Sequence, residues 1–414
     1  MQNAWIISIG TELTLGQSVD TNAAWLARRL AEIGHRCDRH ITAPDDLEPL
    51  VDTLRQAAAQ ADAVVVSGGL GPTDDDLTRV ALARVAGVEL APNARSLAQI
   101  RAFFERRGRA MPERNAVQAL LPRGAQAIEN TCGSAPGVLL RLERALVFAL
   151  PGVPFEMKRM FERDVAPRLS ADSHGDVLLS RRLNCIGKGE SDIGELLADL
   201  MRRGANPEVG TTAELGTIGV RINAAGETRA IAEARLEKTE AEARRRLGAL
   251  VFGRDEETLA DAVGALLHAR GTTLATAESC TGGLIGKLLT DTPGSSAYFK
   301  GAVVAYANEA KVELLGVDPA ALRQHGAVSP EVAEQMACGA RRRLGADFAL
   351  SATGIAGPGG GTAAKPVGLV YIGLADGAGV QARELRYGAD APREAIRLRA
   401  ANTALNLLRL RLLG

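Results

Sequence analysis

The order of apolar and amphipathic segments predicts an α/β protein in three successive units: an α/β unit over residues 1–170, a small α+β unit over 176–254 and a second α/β unit over 256–414. Three observations carry this expectation. Apolar runs alternate with helical periodicity in the first and last segments. The middle segment reads strand, helix, strand, strand, helix, strand. The chain of 414 residues, 46% apolar, exceeds one ordinary domain and suffices for several cores.

In the first unit the strands are AWIISIG, DAVVVSGG and ALVFALPG, with helices over 22–33 and 77–85. Residues 63–66 are apolar throughout, as strands buried on both faces of a parallel sheet are. Each run ends in a loop at Gly10, Gly68 or Gly152, the sheet edge where such folds gather ligands. The middle unit has strands over 177–186 and near Val209, Val220 and Val251, and helices over 191–201 and 229–247, the β-α-β-β-α-β order of ferredoxin/KH-like folds. Its long helix, AIAEARLEKTEAEARRRLG, mixes charges at helical spacing. That pattern marks a solvated face over a small core, so the unit reads as a spacer rather than an interaction module. After Arg254 come a helix, a strand over 272–276, another helix, and the strands GAVVAY, FALSAT and LVYIGLA.

Composition excludes several function classes. Lys+Arg and Asp+Glu balance at 49 each, so no net field draws the chain to nucleic acid or an anionic membrane, and no direct nucleic-acid binding is expected. No apolar run reaches membrane-spanning length. Cys37, Cys132, Cys185, Cys280 and Cys338 lack paired spacing, which suits a reducing compartment better than disulfides or zinc. With no basic leader before AWIISIG, the expected location is the cytoplasm.

The segment SGGLGPTDDDLT follows one apolar strand and precedes a helical pattern, so Gly68, Gly69 and Gly71 can bring backbone amides to a phosphate. Thr73 is placed to cap the helix, which would put Asp74, Asp75 and Asp76 in its first turn. There the dipole favours them with no ligand present. The alternative is that three adjacent acids repel one another unless a cation bridges them, and oxygen ligands beside phosphate suit Mg²⁺. Glu12, Asp20 and Asn22, in GTELTLGQSVDTN, could meet these acids across the sheet edge, although Asp20 could equally cap the next helix. Glu156 opens a helix after Gly152 and Pro154.

In the last unit, TLATAESCTGGLIGKLL reads as a strand, a tight turn at Glu278 to Cys280, and a helix led by Gly282 and Gly283. Ser279 at that elbow would stand beside helix N-terminal amides able to hold a phosphate or an oxyanion. A helix cap has the same signature, and Cys280 is a rival nucleophile. His268 and His325 lie in an apolar helix and a loop, away from the glycine-rich motifs, which disfavours a histidine triad. Lys311 falls in the first turn of a helix that Asn308 can cap, where the dipole disfavours the ammonium form. It is either a base or a solvated surface residue. Tyr306 ends the strand GAVVAY, as a proton relay or a packed strand residue. ALSATGIAGPGGGT brings Thr353, Gly354 and Gly357 to a strand end, as a ligand loop or a flexible turn, and Arg393 starts the last helix, as a phosphate clamp or a surface residue.

The motifs GTELTLGQ, DTNAAWLA, SGGLGPTDDDLT, RNAVQALLP and LPGVPFEMK resemble the N-terminal domain of CinA proteins, itself similar to molybdopterin-binding domains of the MoaB and MogA type. The resemblance implies an ADP-ribose pyrophosphatase using a divalent metal such as Mg²⁺, with potassium. Asp76 and Thr78 match the acid and threonine of the molybdopterin-binding pattern, whereas Leu70 replaces its threonine. AESCTGG, GAVVAYANEAKVELLGV, TGIAGPGGGT and KPVGLVYIGL resemble the CinA C-terminal domain, a nicotinamide-nucleotide amidohydrolase that needs no cofactor. It implies that Ser279 is the nucleophile, that Lys311 and Tyr306 activate it, that Thr353 and the glycine loop help hold the intermediate, and that Arg393 binds the nucleotide. Nicotinamide mononucleotide and ADP-ribose are then the small-molecule partners, and the assembly a homodimer. Two other function classes stay open: a non-catalytic accessory protein in competence or recombination, and a pterin-cofactor binding protein.

Overall fold

The computed structural model describes residues 2–171 and 177–414, so residue 176, the expected start of the middle unit, lies outside the described residues. The chain packs as two compact units, Met1–Ser180 with Asn223–Leu236, and Arg181–Ile222 with Glu237–Gly414.

The N-terminal strands are β1 (Gln2–Ile9), β2 (His35–Ala43), β3 (Ala63–Ser67), β4 (Leu90–Pro92), β5 (Leu120–Pro122), β6 (Gln126–Ile128), β7 (Gly137–Leu142) and β8 (Ala145–Leu150). Six form one sheet in the order β2-β1-β3-β8-β7-β6, and β4 pairs separately with β5. The first four strands in that order are mutually parallel, β7 runs antiparallel to β8, and β6 runs antiparallel to β7. Trp5, Ile7, Val64, Val66 and Val147 bury one face together with Leu50 and Leu54 of helix Leu47–Gln60. Ala4, Ile6, Ala63, Val65 and Phe148 bury the other with Leu26 and Leu30 of helix Thr21–Glu32. Covered faces explain the uninterrupted apolar strands. β2 escapes a periodicity reading because it is an edge: HRCDRHITA buries only its two end residues.

The middle strands are β9 (Val177–Cys185), β10 (Glu208–Glu214), β11 (Thr217–Gly226) and β12 (Val251–Arg254), in the order β10-β11-β9-β12. The first and third strands are central, as the ferredoxin/KH-like expectation requires. Helix Arg229–Leu247 buries Ala232, Leu236, Ala243 and Leu247 along one stripe. Glu240 on that stripe is paired by Arg181 and Arg244 at 2.6 and 2.7 Å.

The C-terminal strands are β13 (Leu274–Glu278), β14 (Phe299–Val304), β15 (Phe348–Gly354), β16 (Leu369–Asp376) and β17 (Gly379–Arg386), ordered β14-β13-β15-β16-β17. β14, β13 and β15 are parallel; β16 runs antiparallel to β15, and β17 antiparallel to β16. One face packs on helices Leu259–Arg270, Leu284–Thr290 and Arg393–Leu413, the other on Pro330–Leu344 and Asn308–Leu315. β13 runs two residues later than the expected 272–276, so Glu278 closes the strand and Ser279 is the first residue beyond it. No helix among the described residues is long and apolar enough to cross a membrane.

Candidate functional sites

The loops after β1, β3 and β8 converge as the sheet topology demands: Gly10, Gly68 and Gly152 line one cavity of about 450 Å³. Its charged lining is Glu12, Asp45, Asp75, Asp76 and Glu156, with no basic side chain. Several expectations change here. The helix starts at Thr78, so Thr73 caps nothing and Asp74, Asp75 and Asp76 sit in the preceding loop, not a helical turn. The reason is local competition for amides. The Asp76 carboxylate accepts from Gly71 N at 2.7 Å and Thr73 N at 2.8 Å, folding the loop around itself. Asp74 is exposed and is absent from the cavity lining. Asp20 caps helix Thr21–Glu32 by accepting from Ala23 N at 2.9 Å.

The amide cradle is also smaller than expected. Gly68 N donates to Leu150 O at 3.0 Å and Gly71 N to Asp76, which leaves Gly69. Gly68 and Gly69 have φ of +115° and +64°, conformations that glycine adopts freely. Thr78 is fully buried and its hydroxyl donates to Gly68 O at 2.8 Å, so it shapes the loop rather than touching a ligand. Arg79, which the sequence reading missed, does likewise from behind: it is 3% exposed and donates to Leu70 O and Gly71 O at 2.6 and 2.9 Å. Burial lowers its pKa, against the pull of Asp76.

Among the described residues no three His, Cys, Asp or Glu side chains stand together as a metal cluster. The oxygen-only lining nevertheless suits Mg²⁺ in kind, an ion usually held by one or two carboxylates with phosphate and water. Asp45 is bound to Thr11 N at 2.7 Å, Asp76 to its own loop, and Glu156 to Asn130 Nδ2 at 2.7 Å. Glu12 remains for an ion, beside an exposed Asp75 whose carboxyl the Thr73 hydroxyl holds below its ordinary pKa.

In the C-terminal sheet, Ser279 leaves β13 at the centre of the parallel edge, its amide donating to Ala352 O at 2.9 Å. The helix it leads into is Leu284–Thr290, with Gly282 and Gly283 at φ +60° and +90° making the turn. Glu278 is not free to bind substrate. It is fully buried, and its oxygens accept from Ile285 N at 3.0 Å and Gly286 N at 2.8 Å, holding the helix start. Cys280 is a core residue whose thiol burial pushes its pKa up to about 12, so the rival nucleophile stays protonated.

Lys311 is not a surface residue. It is 1% exposed, and Nζ donates to Ala305 O at 2.9 Å and Tyr306 O at 3.0 Å. Its helix begins at Asn308 with Ala307 as the cap residue, so Asn308 caps nothing. Burial holds its ammonium below the ordinary lysine range, while Cys280 and Glu309 push the other way. The segment that Lys311 grips is tied to the elbow, since Ala305 N donates to Glu278 O at 2.9 Å.

Tyr306 is 63% exposed beyond β14, and its hydroxyl accepts from Arg393 Nη2 at 3.2 Å. Arg393 Nη1 donates to Gly357 O at 2.6 Å, so the first residue of the last helix joins two loops of the edge. Thr353 is buried and spends its proton on Ala327 O at 2.7 Å, which leaves it only as an acceptor. Gly354 lies within the β15–β16 ladder, where a side chain would strike Leu369 O and Val370, so its role is strand approach. Two further basic residues escaped the sequence reading. Arg397 donates to Thr281 O at 2.7 Å, and Lys365 Nζ holds His325 O and Val328 O. Arg397 was legible in principle, lying one helical turn from Arg393 on the same face.

Comparison with known proteins adds three family models: "CinA C-terminal domain" over residues 256–412, "Probable molybdopterin binding domain" over 5–171, and "Damage-inducible protein CinA KH domain" over 180–253. A "CinA-like protein" of Geobacter metallireducens is 45% identical over 411 residues, 99% of each chain. Another, from Dictyoglomus thermophilum, is 43% identical over 409 residues, again 99% of each. The crystal structure of competence/damage inducible protein CihA from Agrobacterium tumefaciens is 46% identical over 38% of this chain and 94% of that one, with a TM-score of 0.37.

Proposed function

This chain belongs to the CinA family, and from that premise we propose that residues 256–414 hydrolyse the carboxamide of nicotinamide mononucleotide to nicotinate mononucleotide and ammonia, while the N-terminal unit cleaves the diphosphate of ADP-ribose. Ser279 Oγ attacks the carboxamide carbon and passes its proton to Lys311. The amine returns that proton to the departing nitrogen as the C–N bond breaks, releasing ammonia and leaving an acyl-enzyme. Water, activated by the same amine, then forms the acid and restores the Ser279 hydroxyl. Amides of the turn after Ser279 are the candidates for holding the oxyanion.

The observation that carries this reading is the burial and bonding of Lys311. A neutral amine has two N–H bonds and one lone pair. Ala305 O and Tyr306 O take two donors, so the neutral amine keeps a lone pair able to accept a proton. Arg393 and Tyr306 present a guanidinium and a phenol at the same edge, suited to the ligand phosphate.

In the N-terminal cavity, five carboxylates without a basic residue would repel a diphosphate, so the ligand must come with a cation. Glu12 and Asp75 would hold Mg²⁺, which neutralises phosphate charge and polarises the P–O bond when bound. The test is ammonia release from nicotinamide mononucleotide beside AMP release from ADP-ribose, each with and without EDTA. EDTA should stop the second and spare the first; equal sensitivity would sink the two-site reading. The molybdopterin-binding family match favours pterin binding as the second reading for residues 5–171, which predicts pterin affinity without AMP release.

A further inference from the structure

A smaller cavity of about 260 Å³ adjoins the acidic one, sharing Ile9, Glu12 and Gly152 with it. Its inner wall is a surface that changes character at its last position. Along one face β1 presents Ala4, Ile6 and then Ser8, and β3 presents Ala63, Val65 and then Ser67, with Ser8 opposite Ser67 in the register. The covering helix Thr21–Glu32 follows suit: below it lie Ala23, Leu26 and Leu30, and above them Asn22. Ser8, Ser67 and Asn22 all line the small cavity and are 2%, 3% and 8% exposed.

Two of these groups are unpaired. Asn22 Nδ2 donates to Ser67 Oγ at 3.0 Å and Gly152 O at 2.7 Å, which fixes the amide's orientation and turns Oδ1 to a place where it accepts nothing. Ser8 Oγ has no partner either. Leaving buried polar atoms unmet is costly, so two in one cavity call for a guest. At about 260 Å³ the cavity has room for a small polar group in place of several waters. Oδ1 needs a donor and Ser8 can both give and accept. Glu12 and Asp20, also in the lining, oppose a second anion. A phosphate supplies no donor, and an apolar group satisfies neither atom. Sugar hydroxyls do both, in place of the water that would otherwise fill the cavity.

We propose that this cavity is a hydroxyl-recognising subsite, which takes the ribosyl diol next to the diphosphate while the phosphates lie in the acidic cavity. The assignment rests on the diphosphate-cleavage reading of the N-terminal unit. It makes Ser8 and Asn22 specificity-determining residues for a sugar-bearing ligand.

The test uses the full chain with Mg²⁺, titrated calorimetrically with the non-hydrolysable α,β-methylene analogue of ADP-ribose and with pyrophosphate, beside thermal melting of the free protein. Ser8→Ala removes an unpaired hydroxyl, so it should melt at or above wild type, bind the analogue about 3- to 10-fold more weakly, and bind pyrophosphate as before. The control is Ser96→Ala, which deletes another unpaired buried hydroxyl, on helix Ala94–Glu105 and outside both linings. It should melt like Ser8→Ala and bind both ligands as wild type does. Equal weakening of both ligands by Ser8→Ala would overturn the subsite. So would a lower melting point with unchanged analogue affinity, the mark of a hydroxyl that serves only a structural water. If wild type binds neither ligand, the diphosphate reading falls and takes the subsite with it. If wild type binds both and Ser8→Ala keeps their ratio, only the subsite falls.

Discussion

Replacing Lys311 by methionine keeps the length and apolar stem of the side chain but removes the amine that grips Ala305 O and Tyr306 O. A positioned general base contributes about 10²–10⁴-fold, so deamidation should fall by at least ~10²-fold, about 2.7 kcal/mol of barrier. Stability moves by two opposing effects. Each buried carbonyl left without a donor costs about 1–3 kcal/mol, while a desolvated amine is no longer forced inside. Melting must therefore be followed with turnover, so that loss of fold is not read as loss of catalysis. The pH dependence separates the explanations further. Burial holds the Lys311 pKa below the ordinary 10.5, so the neutral fraction, and with it the wild-type rate, should climb with pH through a group titrating below that value. The unfolded chain binds that proton more tightly than the folded one. Wild-type stability should therefore rise with pH from the lowered folded value up to 10.5, and the methionine variant should lack both limbs. The assay is ammonia release across the alkaline range with parallel melts. A well-folded Lys311→Met enzyme with near-normal turnover would refute the argument and send the search for the base to Tyr306.

Ser279→Ala should abolish deamidation, whereas Cys280→Ala should retain most of it, because a thiol with its pKa near 12 supplies almost no thiolate at neutral pH; the reverse pattern in the same ammonia assay would move the chemistry to sulfur. Arg79→Met should destabilise the N-terminal unit by about 1–3 kcal/mol per orphaned carbonyl at Leu70 and Gly71, and depress ADP-ribose cleavage while sparing deamidation; urea melts and the paired assays check both. A fragment of residues 256–414 should fold and deamidate, yet melt below one that begins at 248, because Arg409 donates to Val251 O at 3.2 Å and to Ala249 O; equal melting temperatures would show that those bonds stabilise nothing.

The sequence alone determined the order of strands and helices in each unit and the sheet edge where the glycine loops gather, since both follow from short-range signals. Apolar runs such as residues 63–66 report burial on two faces, and the glycines after β1, β3 and β8 mark where the chain turns at one edge. It also singled out Ser279, Lys311, Tyr306 and Arg393, although composition left each with a bland alternative. Tertiary structure decided the surroundings of each. Whether Lys311 is a solvated cation or a buried amine depends on what covers it, which no local pattern encodes. Glu278 and Asp76 look like ligand groups until their oxygens are found on the amides of Ile285, Gly286, Gly71 and Thr73. Arg79 and Ser8 were invisible because their meaning lies in bonds made or left unmade across the fold, and a hydrogen-bond balance exists only once the chain has closed on itself.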